Sequence, residues 1–171
     1  MHIDAEQMEA RKLRGREVIA IREGMVVGRV RNLVFDPIEH RLLGMLVSRG
    51  RRHNALFLPA SAIRRMGPHA VTTDHQANLG PLSAHPRAAA LVASGVRFEG
   101  APVMLDDGAR IATLRDIWID GSYNVVRYDA AHGVFPFERR LRISPGQVII
   151  VGPDAMVLHA DPRAGVPAPA S

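Results

Sequence analysis

The sequence predicts a mainly β protein: two small six-stranded β-barrels in tandem, joined by a linker that holds one short helix. Three observations lead there. The first is an internal repeat, in which Gly24, Gly28, Val30, Leu33, Phe35 and Asp36 recur at one constant offset as Gly108, Ala112, Leu114, Ile117, Ile119 and Asp120. Ile63, Gly67, Pro68, Ala70 and Val71 return at nearly the same offset as Ile149, Gly152, Pro153, Ala155 and Met156. Self-similarity over a fixed period means two copies of one structural unit. The second is a slip in the alternation at the same place in both copies: Val26, Gly28, Val30 is followed by Leu33, Phe35, and Ala112, Leu114 by Ile117, Ile119. One extra residue that restores the inward phase reads as a β-bulge, near Arg31–Asn32 and again near Arg115–Asp116, bending a long strand around a barrel corner. The third is size. Units of about 60 residues bury only about 60% of their unfolded surface, so two of them lean on each other.

Taken in order, the chain opens with residues 1–12, where Asp4 as cap, Gln7 three residues later and Gly15 as a stop predict a short helix over 5–12. The first unit, 13–75, has strand candidates at 17–21, 25–35, 41–48, 55–58, 63–66 and 70–73, rich in aliphatic residues and separated by turn signals. Pro59 lacks an N–H for the ladder, so 59–62 makes a turn or short helix. Residues 76–97 form the linker, with a helix that starts at Pro86, runs over Arg87–Ser94 and stops at Gly95. The second unit, 98–160, has strands near 102–105, 110–119, 123–129, 133–137, 147–151 and 155–158. The tail, 161–171, is rich in proline and small residues and is expected to be disordered.

Composition bounds the function. The 171 residues are 47% apolar with a net charge of +5, and no apolar run approaches the roughly 20 residues that cross a bilayer as a helix. The opening MHIDAEQMEARK has no apolar signal region, so a cytoplasmic protein is expected. There is no cysteine, which removes disulfides, thiolate metal sites and cysteine nucleophiles together. Lys12 is the sole lysine, a bias expected of GC-rich coding rather than of phosphate contacts. The first unit is net basic and the second net acidic.

LRGREVIAIREGMVVGRVRNLVFDPIEHRLLGMLV and then FLPASAIRRMGPHAVTT resemble a PRC-barrel domain, the β-barrel of the photosynthetic reaction centre H subunit and of the C-terminus of the ribosome maturation factor RimM. The resemblance rests on a G-x-x-V opening at Gly15–Val18, a G-x-V at Gly28–Val30 leading to Asp36, the turn at Leu58–Pro59, and I-x-x-x-G at Ile63–Gly67. The second copy departs from it, with Ala112 for the glycine and Ser144–Pro145 for the Leu-Pro pair; the two together cover about three quarters of the chain. No membrane helix and no preceding barrel accompany it, so the resemblance implies a stand-alone tandem PRC-barrel protein. It speaks to fold rather than activity.

Chemistry-bearing residues point away from catalysis. The eight histidines form no H-E-x-x-H or helical ligand pair, so no metal is expected. Asp106-Asp107-Gly108 reads as a hairpin turn rather than an acid–base pair, and Ser48 and Ser61 lack nucleophile-elbow glycines. Asp36 and Asp120, each closing the bent strand, read as Asx-turn acceptors. No catalytic residue and no cofactor is expected. The partner-binding candidates are Arg49, Arg51 and Arg52 at a hairpin tip, Arg64 and Arg65 at the next turn, and Trp118 on an outer face, where packing against the neighbouring barrel competes with contact to a partner. No acidic residue stands between Glu39 and Asp74 to balance the arginines. The reading is a non-enzymatic protein-interaction or adaptor module. The alternative is a ribosome- or RNA-associated maturation factor using the basic first unit. Partners are therefore another protein, a ribosomal protein included, or a second copy of the chain; the lack of aromatics among the arginines argues against reading single-stranded RNA.

Overall fold

The computed structural model describes residues 6–50, 54–134 and 136–164. Among the described residues the chain builds two mixed sheets and one α-helix. In the first sheet, β2 (Glu17–Ala20), β3 (Met25–Asp36), β4 (Arg41–Ser48), β5 (Leu56–Pro59), β6 (Ile63–Met66) and β7 (Ala70–Thr73) lie in the order β5-β4-β3-β2-β7-β6. The second contains β8 (Pro102–Leu105), β9 (Arg110–Ile119), β10 (Val125–His132), β11 (Arg139–Ile143), β12 (Val148–Val151) and β13 (Met156–Leu158), in the order β11-β10-β9-β8-β13-β12. Both paths read alike. Each has one parallel pair, β2 with β7 and β8 with β13, and the rest run antiparallel.

The irregularities also match. In β3 the pairing with β4 skips Arg31, and in β9 the pairing with β10 skips Arg115, the two places where the alternation slips in the sequence. Val27 and Ile111 are skipped in the pairing of β3 with β2 and of β9 with β8; Arg64 and Ile149 are skipped in the β6–β7 and β12–β13 pairs. A bulge leaves one residue unpaired and sharpens the twist, so both sheets bend at the same positions.

Neither ladder closes on itself: β5 and β6 are the ends of the first path, β11 and β12 of the second. Yet β5 and β6 are consecutive, joined by the 3-10 turn Ala60–Ala62. A flat six-stranded sheet would separate its outer strands by about 24 Å, and a link of this length spans at most about 14 Å. Each sheet is therefore rolled, with its edges tied by a short connection.

Between the rolled sheets lies one apolar core that draws on both, including Val18, Leu42, Met45, Leu58 and Val71 from the first and Val103, Leu114, Ile119, Tyr128 and Met156 from the second. Phe98 joins them, edge-on to Phe35 and stacked on Tyr128 at 6.1 Å. The β3–β4 and β9–β10 turns meet in a reciprocal contact: Leu42 N–H donates to Tyr123 O and Val125 N–H to His40 O, both at 2.8 Å, around an Arg41–Asn124 bridge. The equivalent residues Arg14 and Glu99 also pair with each other. This self-complementary pattern is that of a two-fold interface inside one chain.

Three expectations needed correction. The helix over 5–12 is instead a two-residue strand, β1 (Met8–Glu9), and a 3-10 turn, Ala10–Leu13, with its cap Asp4 outside the described residues. β1 pairs with β9, giving the second sheet seven strands rather than six. Leu13 and Ala10 are buried there, so tertiary contact rather than helix propensity decides the segment. The strand expected at 133–137 is absent from its described residues: Gly133 takes a φ of 96° and Pro136 offers no N–H, so the ladder resumes at β11, where Leu141 and Ile143 point inward between arginines. The linker carries a helix where one was expected. Its helix α1 (Pro86–Ser94), closed by Gly95 at φ 73°, lays Ala88 and Leu91 on Val34 and Phe57 of the first sheet. The expected disordered tail falls mostly outside the described residues.

Candidate partner-binding site

The groove on the first sheet begins with the bulge at Val27. A bulged residue has no ladder partner for its carbonyl, and Arg49, just past the end of β4, supplies one by donating from Nε at 3.1 Å. That bond turns the Arg49 stem across the mouth of a groove of about 550 Å³ lined by Val27, Val47, Leu56 and Leu79, with Asn54 and Gln76 at its polar rim. Its far wall is the segment after β7, held to β5 by paired bonds, Phe57 N–H to Gly80 O at 2.7 Å and Gly80 N–H to Phe57 O at 3.1 Å. Leu56 and Val26 remain 43% and 45% exposed beside it. The result is an apolar trough with a fixed cation at its edge, a volume suited to one or two side chains of a partner.

The other candidates disperse. Arg64 on β6 is tied to Asp74 at 2.8 Å, and Arg65 is exposed on the same strand without lining the groove. Arg51 and Arg52 lie outside the described residues. Trp118 is half-buried in its own sheet rather than against the other: its Nε1 donates to Asp129 at 2.8 Å, the Arg127 guanidinium stands 4.1 Å above the ring, and β1 runs alongside with Glu9 opposite. The outer face of β3 at Val34 is covered by α1, whereas the outer face of β9 at Trp118 is covered by β1 and Arg127.

Two polar pairs at the join between sheets were not legible as a site. Asp36 accepts from the N–H groups of Ile38 and Glu39, as expected of an Asx turn, and also from Arg87 Nε and Nη2 at 3.0 and 2.9 Å. Burial alone raises its carboxyl, but the Arg87 bonds and the two N–H groups more than offset this and hold it at about 2. His40 Nδ1 lies 2.7 Å from the Tyr128 hydroxyl; burial pushes the imidazole down and the phenol up, while the Asp36 charge pulls the imidazole partly back. Asp120 makes the plain Asx turn, accepting from Ser122 and Asn124. Arg87 was hidden because nothing in a helix start announces a tertiary ion pair.

Among the described residues, no three His, Asp or Glu side chains are grouped to hold a metal ion, and no helix is long and apolar enough to cross a membrane. No curated protein matches the chain. Residues 5–76, which contain the whole first sheet and the groove's bulge and arginine, match the family model of the PRC-barrel domain.

Proposed function

We propose that the chain is a non-enzymatic interaction module of two PRC-barrel-type units, in which the tie between the sheet edges takes the place of a last ladder. Its Arg49 groove receives a protein segment carrying an acidic side chain beside an aliphatic one. The observation that carries this reading is the groove itself: four aliphatic walls, and a guanidinium anchored by a bulge carbonyl. A carboxylate reaching Arg49 from an extended segment would set its aliphatic neighbour against Leu56 and Val47, and the absence of acidic residues from His40 to Thr73 leaves the positive field around it unbalanced. The matching strand order, parallel pair and bulges of the second sheet support a tandem of two such units. The RNA-associated reading draws less support, since Arg14, Arg29 and Arg64 are paired with Glu99, Glu17 and Asp74 rather than facing an open groove.

The test is cross-linking and affinity capture with the full chain and with an Arg49→Glu, Leu56→Ser variant, in a lysate of its own source. One protein species retained by the wild-type chain in near-stoichiometric amount, lost in the variant and weakened by salt, is the expected result. Capture that is unchanged in the variant, or that disappears on nuclease treatment, overturns the reading.

A further inference from the structure

At the far end of the second sheet, Val134 and Phe137 are 81% and 82% exposed. Phe137 N–H donates to Val134 O at 2.8 Å, which keeps the two residues together. Gly133 before them has a φ of 96°, where any Cβ would stand 2.9 Å from Phe137 O. Two large apolar side chains this exposed and this close together are unusual for a soluble surface.

Beside them, and reaching Gly133, lies a shallow cleft of about 290 Å³ lined by Arg110, Thr113, Arg115 and His132. Arg110 Nη2 donates to Thr113 Oγ1 at 3.1 Å, and Arg115 reaches Glu138 at 3.1 Å just past Phe137. The register extends the charge. Ala131 pairs with Thr113 on one side and with Arg140 on the other, and residues directly opposite in antiparallel strands share a face. Arg140, and Arg142 two residues on, therefore project on the face that carries the cleft. Both are exposed, as is Arg139 opposite His132. The acidic groups nearby are Glu138, paired with Arg115, Asp161, paired with Arg163, and Asp129, opposite Arg142 and bonded to Arg127, which still leaves a surplus of arginines around the apolar tip.

We propose that this corner docks on an anionic lipid surface, with Val134 and Phe137 entering the headgroup–acyl boundary and a lipid phosphate held at the Arg110–Arg115 cleft. The chemistry decides the occupant: an exposed apolar pair beside a surplus of cations suits a bilayer interface, where apolar area and attraction to anionic lipid add. A nucleic acid would leave the apolar pair unused. The site shares no residue with the Arg49 groove and goes beyond the interaction reading given for it.

The test is co-sedimentation of the full chain with vesicles of phosphatidylcholine alone or mixed with phosphatidylglycerol, at low and high salt. Binding to the mixed vesicles only, falling with salt, is expected. Val134→Ser with Phe137→Ser should weaken it at least about tenfold, and Arg140→Ser with Arg142→Ser by roughly fivefold per arginine. A Trp118→Phe, Phe137→Trp variant should shift its emission to the blue on the same vesicles. Arg64→Ser with Arg65→Ser, on the first sheet, should leave binding unchanged. No binding to mixed vesicles, or equal binding by the Val134→Ser, Phe137→Ser variant, overturns the proposal. So does an equal loss in the Arg64→Ser, Arg65→Ser control, or a site that titrates with inorganic phosphate alone while vesicles are ignored.

Discussion

Arg87, at the start of α1, reaches back to Asp36 at the end of β3 and binds both of its carboxylate oxygens, so one residue both shapes the β3–β4 turn and anchors the linker to the first sheet. Asp36 is buried, whereas the Arg87 side chain is 52% exposed. Asp36→Ala is expected to destabilise the protein by about 2–3 kcal/mol, because the Ile38 and Glu39 N–H groups lose their acceptor. Arg87→Ala costs less, as about half of its side chain remains in water. The folded carboxyl sits at about 2 against an ordinary 3.8. A depressed acid contributes stability that is present above the unfolded value and lost as pH falls through the folded one. Urea melts should thus show a wild-type decline between about pH 4 and pH 2 that is smaller in Asp36→Asn.

His40 has the opposite character. Its imidazole is pushed below 6.5 by burial, so the neutral ring is the one the fold accepts, and stability is full above the unfolded value and falls as pH drops below it. His40 also holds a φ of 51°, a conformation asparagine tolerates well. His40→Asn should keep the turn and flatten the pH dependence of stability between about pH 7 and pH 5. Tyr128→Phe, which removes the hydroxyl facing Nδ1 at 2.7 Å, should cost about 1 kcal/mol at pH 7.

What the sequence made legible was whatever repeats or alternates. The bulges at Arg31 and Arg115, the stop of α1 at Gly95 and most strand bounds follow from period and turn chemistry, which are local. Tertiary pairings were not legible. Met8–Glu9 joins β9 because Leu13 and Ala10 find apolar cover there, and Val134 and Phe137 look like a strand until Gly133 and Pro136 interrupt the ladder. Arg49 was singled out for charge at a hairpin tip, whereas its position is set by the unpaired Val27 carbonyl, a consequence of a bulge that alternation alone did not mark.

Gly44 tests how tightly β4 and β5 approach. A Cβ at this position would stand 2.4 Å from both the Leu58 carbonyl and the Phe57 ring, and the carbonyl is backbone that cannot step aside. Phe57 is held in turn by Ala88 of α1 and Val34. Gly44→Ala should therefore destabilise by about 2–3 kcal/mol and loosen the α1 contact, seen as faster amide exchange across 86–94. A variant as stable as the wild type would mean that β5 lies further from β4.

Trp118 is the sole tryptophan and so reports on one place. Its ring is covered from above by Arg127, bonded at Nε1 to Asp129 and flanked by β1, none of which belongs to the first sheet. Arg127 is itself held by Asp129 at 2.9 Å, so the three side chains form one unit. Arg127→Ala should uncover the ring face and increase iodide quenching at a cost of about 1–2 kcal/mol, since Asp129 keeps its bond from Trp118 Nε1. Removing residues 1–13 should do more. It strips β1 from beside Trp118, takes Leu13 and Ala10 out of the core and leaves the Asp116 carboxylate, which burial already pushes up, without the Arg11 N–H at 3.2 Å. The emission should move to the red and the melting temperature fall. If truncation leaves both unchanged while Arg127→Ala alone raises quenching, β1 does not hold this face.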